Sequence, residues 1–200
     1  MKVIGLCGGS GSGKGAVSDI LRGFGIAIID TDRVYHEITS RPSECLSALA
    51  EEFGAEVIRD GALDRARLRE IVFEPAHSST RLLRLNSITH KYVIAETERL
   101  VLFYRENGAK GVVIDAPLLF ESGLDDRCDT VIAVIANREV RLARIMLRDG
   151  LSLDAARKRI EAQIPDARLC EMVDHVICND GTIDELYSEV RRVHNKIFDI

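Results

Sequence analysis

The sequence has no C-x-x-C pair, no apolar run long enough to span a bilayer and no excess of positive charge. Each of these narrows what the chain does. Its cysteines, Cys7, Cys45, Cys128, Cys170 and Cys178, are odd in number and scattered. That fits reduced thiols rather than a disulfide framework or a zinc site. Cys7 and Cys178 sit in apolar runs and read as core residues. A spanning helix needs about 20 apolar residues, so no membrane partner is expected. The net charge of −5 argues against a general nucleic-acid binder, whose surface would be basic. It still permits a small polyanionic substrate, because a local basic cleft focuses the field against the overall charge. The start carries no signal-peptide pattern, since a glycine-rich stretch arrives at once. Together with the reduced thiols this leads to an expected cytoplasmic location. No repeat, low-complexity segment or linker marks a second independent domain. The 200 residues read as one domain with a sizeable core and room for a small inserted lobe.

What is present is concentrated near the start, in Gly8-Gly9-Ser10-Gly11-Ser12-Gly13-Lys14. An apolar run, Val3 to Cys7, precedes it and a helical pattern, Ala16 to Leu21, follows. Strand, glycine-rich turn, lysine and helix form the P-loop arrangement. Backbone N–H groups wrap a phosphate only where no side chains block the approach, hence the glycines. The helix opening at Lys14 aims unpaired N–H groups and a partial positive charge at the same phosphate. Lys14 adds a full charge near the β- and γ-phosphates. One position departs from the motif. The residue after the lysine should carry a hydroxyl for magnesium, but Gly15 and then Ala16 stand there. Ser12, inside the loop, and Ser18, one turn beyond Lys14, are the nearest remaining hydroxyls.

The rest alternates apolar runs with helical patterns. The first helix should end near Gly23-Phe24-Gly25. Ile26 to Ile29 reads as a buried parallel strand ending in Asp30-Thr31-Asp32. Acids just past a strand's carboxyl end lie where open α/β sheets bind ligands. Two readings stand for them: proton acceptor or water-mediated magnesium holder, or helix N-cap. Residues 34–108 are mostly helical, with a turn at Asp60-Gly61 and a longer helix from about Asn86 to Asn107 that carries His90. A lone histidine there reads by default as a surface or hydrogen-bonded residue. Gly111 to Asp115 is a strand ending in an acid, as at a Walker B position, and Asp115 is a magnesium candidate acting through water. The competing reading is a capping aspartate. Glu121, beyond the apolar run Ala116 to Phe120, lines a cleft or lies on the surface. Thr130 to Ile135 and Asp174 to Cys178 are further strands, and Asn137 is placed to cap the helix between them. In that helix Arg138, Arg141, Arg144 and Arg148 share one face, either a solvated basic stripe or lid arginines that neutralise a transferring phosphoryl group. Asp149-Gly150 breaks it, and Ser152 to Gln163 forms a second helix. Thr182 and Glu185 make a capping box for the last helix, Ile183 to Phe198.

Several segments, in order, resemble the dephospho-coenzyme A kinase family. They are Gly5 to Lys14, Ile29-Asp30-x-Asp32, Leu85 to His90, Pro117 to Glu121, Arg148 to Ser152, Arg159-Ile160-x-x-Gln163 and Val176-Ile177-x-Asn179-x-Gly181. The resemblance implies an α/β P-loop NTPase fold of three layers around a five-stranded parallel sheet. It implies a core of about residues 1–33, 109–137 and 171–200, a helical acceptor lobe at about 34–108 and a lid at about 138–170. The implied reaction is ATP-dependent phosphorylation of the ribose 3′-hydroxyl of dephospho-coenzyme A, with ATP and Mg²⁺ as cofactors and no nucleic-acid partner. Carried over residue by residue, Gly11, Ser12, Gly13, Lys14, Gly15 and Ala16 bind ATP, with Asn179 near the adenine. Lys14, Asp32 as base and Arg148 in the lid are the catalytic candidates. Asp32, His90, Leu118 and Glu121 face the acceptor, and Asp115 and Ser12 are the magnesium candidates. The family usually has Ser-Thr where this chain has Gly15-Ala16, which bears on magnesium, and proline where this chain has Lys91, which bears on a helix start or an acceptor contact. A related kinase with another acceptor, or a nucleotide-binding regulator without catalysis, are the alternatives. Oligomeric state is left open.

Overall fold

The computed structural model describes residues 1–74 and 78–199. The chain opens with β1 (Lys2–Cys7), α1 (Lys14–Gly23), β2 (Ala27–Asp30), α2 (Thr31–Thr39) and α3 (Glu44–Phe53). A small hairpin follows, β3 (Ile58–Arg59) and β4 (Ala62–Leu63), then α4 (Arg65–Val72) and the long α5 (Ser78–Glu106). The remainder is β5 (Gly111–Asp115), α6 (Leu119–Ser122), β6 (Thr130–Ile135), α7 (Arg138–Asp149), α8 (Leu153–Glu161), α9 (Asp166–Glu171), β7 (His175–Cys178) and α10 (Ile183–Phe198).

Five of the strands form a parallel sheet in the order β2-β5-β1-β6-β7. Their Val- and Ile-rich runs suit burial on both faces, which parallel strands require. The register sets Leu6 of β1 opposite both Asp115 and Ile132. Cys7 and Asp115 therefore end neighbouring strands at the carboxyl edge, where an open α/β sheet offers its ligand crevice, while β6 runs on from Ala133, opposite Cys7, to Ile135. Beneath that edge Ile4, Leu6, Val113, Ile132, Val134 and Ile177 pack with Val17 and Leu21 of α1 and with Leu186, Val190 and Val193 of α10.

By contacts the chain divides into two compact units, Met1–Ile29 with Phe103–Ile200, and Asp30–Leu102. The first holds the sheet core, P-loop and α7 to α10. The second has a core of its own, where Cys45, Leu49, Phe53, Val57, Leu68 and Val72 pack with Leu85, Ile88 and Tyr92 of α5.

Several local expectations hold. Gly25 takes the positive φ of 82° that turns the chain out of α1. The Thr182–Glu185 capping box forms on α10. The helix expected over Ser152 to Gln163 forms as α8, with Ser152 as its N-cap through the Ala155 N–H. Others are corrected. Cys178, expected in the core, is exposed, because side chains alternate along β7 and Ile177 takes the inward position. Asn137 occupies the N-cap position of α7 but makes no side-chain cap bond. Its backbone N–H instead donates to Asp180 Oδ1 at 2.5 Å. The expected Asp60-Gly61 turn forms, with φ of 53° and 77° at its centre, the left-handed pair a tight hairpin needs, but it joins two short strands within a stretch expected to be mostly helical. The long helix starts at Ser78, not near Asn86. Lys91 thus lies well inside it, and no helix start falls there.

Candidate active site

The loop from Gly8 to Gly13 crosses the carboxyl end of β1. Gly8, Gly11 and Gly13 have φ of 148°, 78° and 95°, conformations that side-chain-bearing residues rarely adopt. α1 starts on Gly13 with no side-chain cap and no acid in its first turn. Its leading N–H groups are left to an anion. Gly15 is exposed and Ala16 is half-buried against the core. Ser12 is 1% exposed, and its hydroxyl has no hydrogen-bond partner among the described residues. An orphaned buried hydroxyl costs about 1–3 kcal/mol, a cost that a phosphate oxygen would relieve.

Lys14 Nζ lies 3.5 Å from Asp115 Oδ1. The other oxygen, Asp115 Oδ2, accepts a 2.8 Å hydrogen bond from Ser18 Oγ. A strand-end carboxylate, the loop lysine and a helix hydroxyl are therefore gathered at the sheet edge. Magnesium at phosphates is typically held by one or two carboxylates together with phosphate oxygens and water. Asp115 fits that role. Among the described residues no group of three or more His, Cys, Asp or Glu side chains could hold a metal by itself. Cys7, directly before the loop, is buried. Burial pushes its thiol up to about 12, against the opposing pull of Lys14.

The outer side of the loop is covered by α7. Arg141 is 4% exposed. Its Nε donates to the Ser10 carbonyl at 3.0 Å, its Nη1 to Asp166 Oδ1 at 2.8 Å and its Nη2 to Gln163 Oε1 at 3.0 Å. The same Gln163 oxygen accepts the Ser10 N–H at 2.9 Å. Ser10 is thus gripped by both of its backbone groups. Arg144 Nη1 donates to the Asn179 carbonyl at 3.0 Å and more distantly to Gly11 and Ser12. Buried Asn179 donates from Nδ2 to the Ser12 carbonyl at 2.8 Å. Arg148, singled out from sequence, pairs instead with its neighbour Asp149, with Nε to Oδ1 at 2.8 Å, and its side chain is 63% exposed. That hydrogen bond holds the Asp149 carboxyl below the usual range and raises the Arg148 guanidinium. Asp149 also pairs with Arg159. Helical spacing found the arginine face. That Arg141, Arg144 and Gln163 touch the loop, and that Asp166 braces Arg141 behind it, emerges only from packing.

A small cleft of about 80 Å³ beside the loop is lined by Gly8, Gly9, Leu118, Glu121 and Gln163. A family model for dephospho-CoA kinase matches residues 2–185. The chain belongs to the dephospho-CoA kinase family. A dephospho-CoA kinase of Corynebacterium glutamicum is 39% identical over 191 residues, covering 95% of this chain and 94% of that protein. One from Bacillus cereus is 39% identical over 189 residues, covering 94% and 93%. The solved dephospho-CoA kinase of Campylobacter jejuni superimposes with a TM-score of 0.71 at 27% identity, covering 98% of this chain and 96% of that one. A shikimate kinase of Acinetobacter baumannii, 13% identical with a TM-score of 0.55, covering 100% of this chain and 94% of that one, shares the fold. The fold is that of P-loop kinases.

Within this dephospho-CoA kinase family member the remaining sequence candidates separate. Leu118 and Glu121 are exposed at the cleft next to the loop, so Glu121 satisfies both of its sequence readings. Asp30 is the N-cap of α2, accepting from the N–H groups of Asp32 (2.9 Å) and Arg33 (3.1 Å). Asp32 is exposed in the first turn of α2, and half-buried His90 lies on α5. Both belong to the second unit. Lys91 Nζ lies 5.1 Å from the ring centre of Tyr92.

Proposed function

We propose that the protein transfers the γ-phosphoryl group of ATP to the ribose 3′-hydroxyl of dephospho-coenzyme A. The observation that carries this is the Gly8–Lys14 loop, its amides uncovered at the start of α1 and Lys14 beside Asp115, in a chain of this family. In this reading the amides from Gly11 to Ala16 and Lys14 hold the phosphates, and Asn179 lies toward the adenine. Asp32 receives the proton of the attacking hydroxyl. His90, Leu118 and Glu121 contact the acceptor. Residues 34–108 form the acceptor lobe and 138–170 the lid. Arg148 is the lid arginine, which neutralises the transferred group and contributes about 10³–10⁵ in rate. Magnesium, when bound, would offset phosphate charge, with Asp115 and Ser12 as its protein-side groups. The site would be cytoplasmic.

The test is ADP release with ATP and magnesium over a panel of acceptors: dephospho-coenzyme A, nucleoside monophosphates and small sugar acids. Turnover is expected with dephospho-coenzyme A, the new phosphate mapping to the 3′-oxygen by NMR. Turnover with a different acceptor alone would reassign the substrate. Tight ATP binding with no product from any acceptor would make the chain a regulator.

A further inference from the structure

The P-loop pattern places a hydroxyl directly after its lysine, on the magnesium. Here Gly15 stands there, and a Cβ built on it meets nothing within 4 Å. Space does not exclude a side chain. α1 instead presents Ser18, one turn beyond Lys14 on the same helix face. A serine or threonine inside a helix commonly bonds the carbonyl four residues back. Thr39 and Thr89 do so in this chain, on Tyr35 and Leu85. Ser18 does not follow them. It is 4% exposed, and its hydroxyl crosses to β5 to donate to Asp115 Oδ2 at 2.8 Å, while Lys14 faces Oδ1. Each oxygen of Asp115 is thereby met by one group of α1. Alanine would be the better helix former at this buried position, so the serine is not there for helix stability.

We propose that Ser18 is a positioning residue for magnesium. It fixes the Asp115 carboxylate from the second turn of α1, in place of a hydroxyl at position 15. This rests on the kinase reading above. A carboxylate already held in orientation loses less freedom when an ion arrives, and partners of this kind typically contribute about 10–100-fold to metal affinity or activity.

The test measures binding of a non-hydrolysable ATP analogue by calorimetry, in EDTA and across a magnesium titration. The proteins are wild type, Ser18→Ala and the double variant Ser18→Ala/Gly15→Ser, with melting temperatures recorded for each. Ser18→Ala is expected to raise the half-saturating magnesium concentration roughly tenfold and to leave affinity in EDTA unchanged. The added serine at position 15 is expected to recover most of that shift. A Ser18→Ala protein whose magnesium midpoint stays within about twofold of wild type would overturn the proposal. So would an equal loss with and without metal. Failure of the wild type to bind the analogue under either condition would instead remove the kinase reading, and this inference with it.

Discussion

Replacing Arg141 with methionine isolates the grip of α7 on the P-loop. Methionine keeps most of the aliphatic stem and removes the guanidinium. Three hydrogen bonds are lost, to the Ser10 carbonyl, Gln163 and Asp166. Deleting one partner of a fully buried pair costs about 3–5 kcal/mol. The Asp166 side chain is 29% exposed and recovers part of its solvation, which brings the expected loss to about 2–4 kcal/mol. For a chain of this size that lowers the melting temperature by roughly 5–15 °C. Affinity supplies the second number. With one backbone tie of Ser10 gone, nucleotide binding must order that residue, at about 1–2 kcal/mol, or roughly 5–30-fold in Kd. Thermal denaturation and calorimetric titration with ADP give both values. Arg141→Lys keeps a charge near Asp166 but not the planar fork, and should fall between. A methionine variant that melts within about 2 °C of wild type and binds ADP within about twofold would show that the contact holds nothing. Lost stability with unchanged affinity would show a purely structural brace.

Asn179→Ala strips the donor from the buried Ser12 carbonyl and should cost about 1–3 kcal/mol. Asn179→Asp, which turns an acceptor toward that carbonyl, should cost more, and denaturant melts that rank the two in reverse would remove the clamp. Burial raises the Cys7 and Cys128 thiols to about 12 and the Cys45 thiol to about 11, from an ordinary value of 9.0. Because the folded values lie above the unfolded one, this stabilisation is complete below about pH 9 and fades as pH climbs through 11 and 12. At pH 8, iodoacetamide followed by peptide mapping should label exposed Cys178 and spare Cys7 and Cys128. Rapid labelling of Cys7 in the folded protein would contradict its placement.

Much of this fold and site is legible in the sequence alone. The glycine spacing and Lys14 marked the loop, because phosphate cradling restricts residue type at nearly every position. Buried parallel strands advertise themselves as Val- and Ile-rich runs, and all five strands of the sheet stand out in that way. The hairpin between Ile58 and Leu63 did not, since two-residue strands carry no periodicity. α9 was missed for a related reason: six residues after Pro165 give too short a pattern. The sequence leaves a capping reading open at both Asp30 and Asp32, with Asp32 the favoured functional acid, and the cap geometry of α2 assigns the capping role to Asp30. The arginine row shows the limit most clearly. Spacing put Arg138, Arg141, Arg144 and Arg148 on one face, but rotation of α7 against the loop decides which of them is buried. Rotation depends on residues far away in the chain, Gln163, Asp166 and Asn179 among them.

The bare loop has a neighbour on its far side as well. A methyl group at Gly9 would stand 2.1 Å from Arg141 Nη2, one at Gly11 would stand 2.7 Å from the Arg141 carbonyl, and one at Gly13 would stand 2.0 Å from Asn179 Nδ2. These glycines answer to the helix and turn outside as much as to any anion within. A substitution among them cannot be scored as damage to nucleotide capture alone. Anyone moving this phosphate loop into another scaffold would have to transplant Arg141, Arg144 and Asn179 along with it.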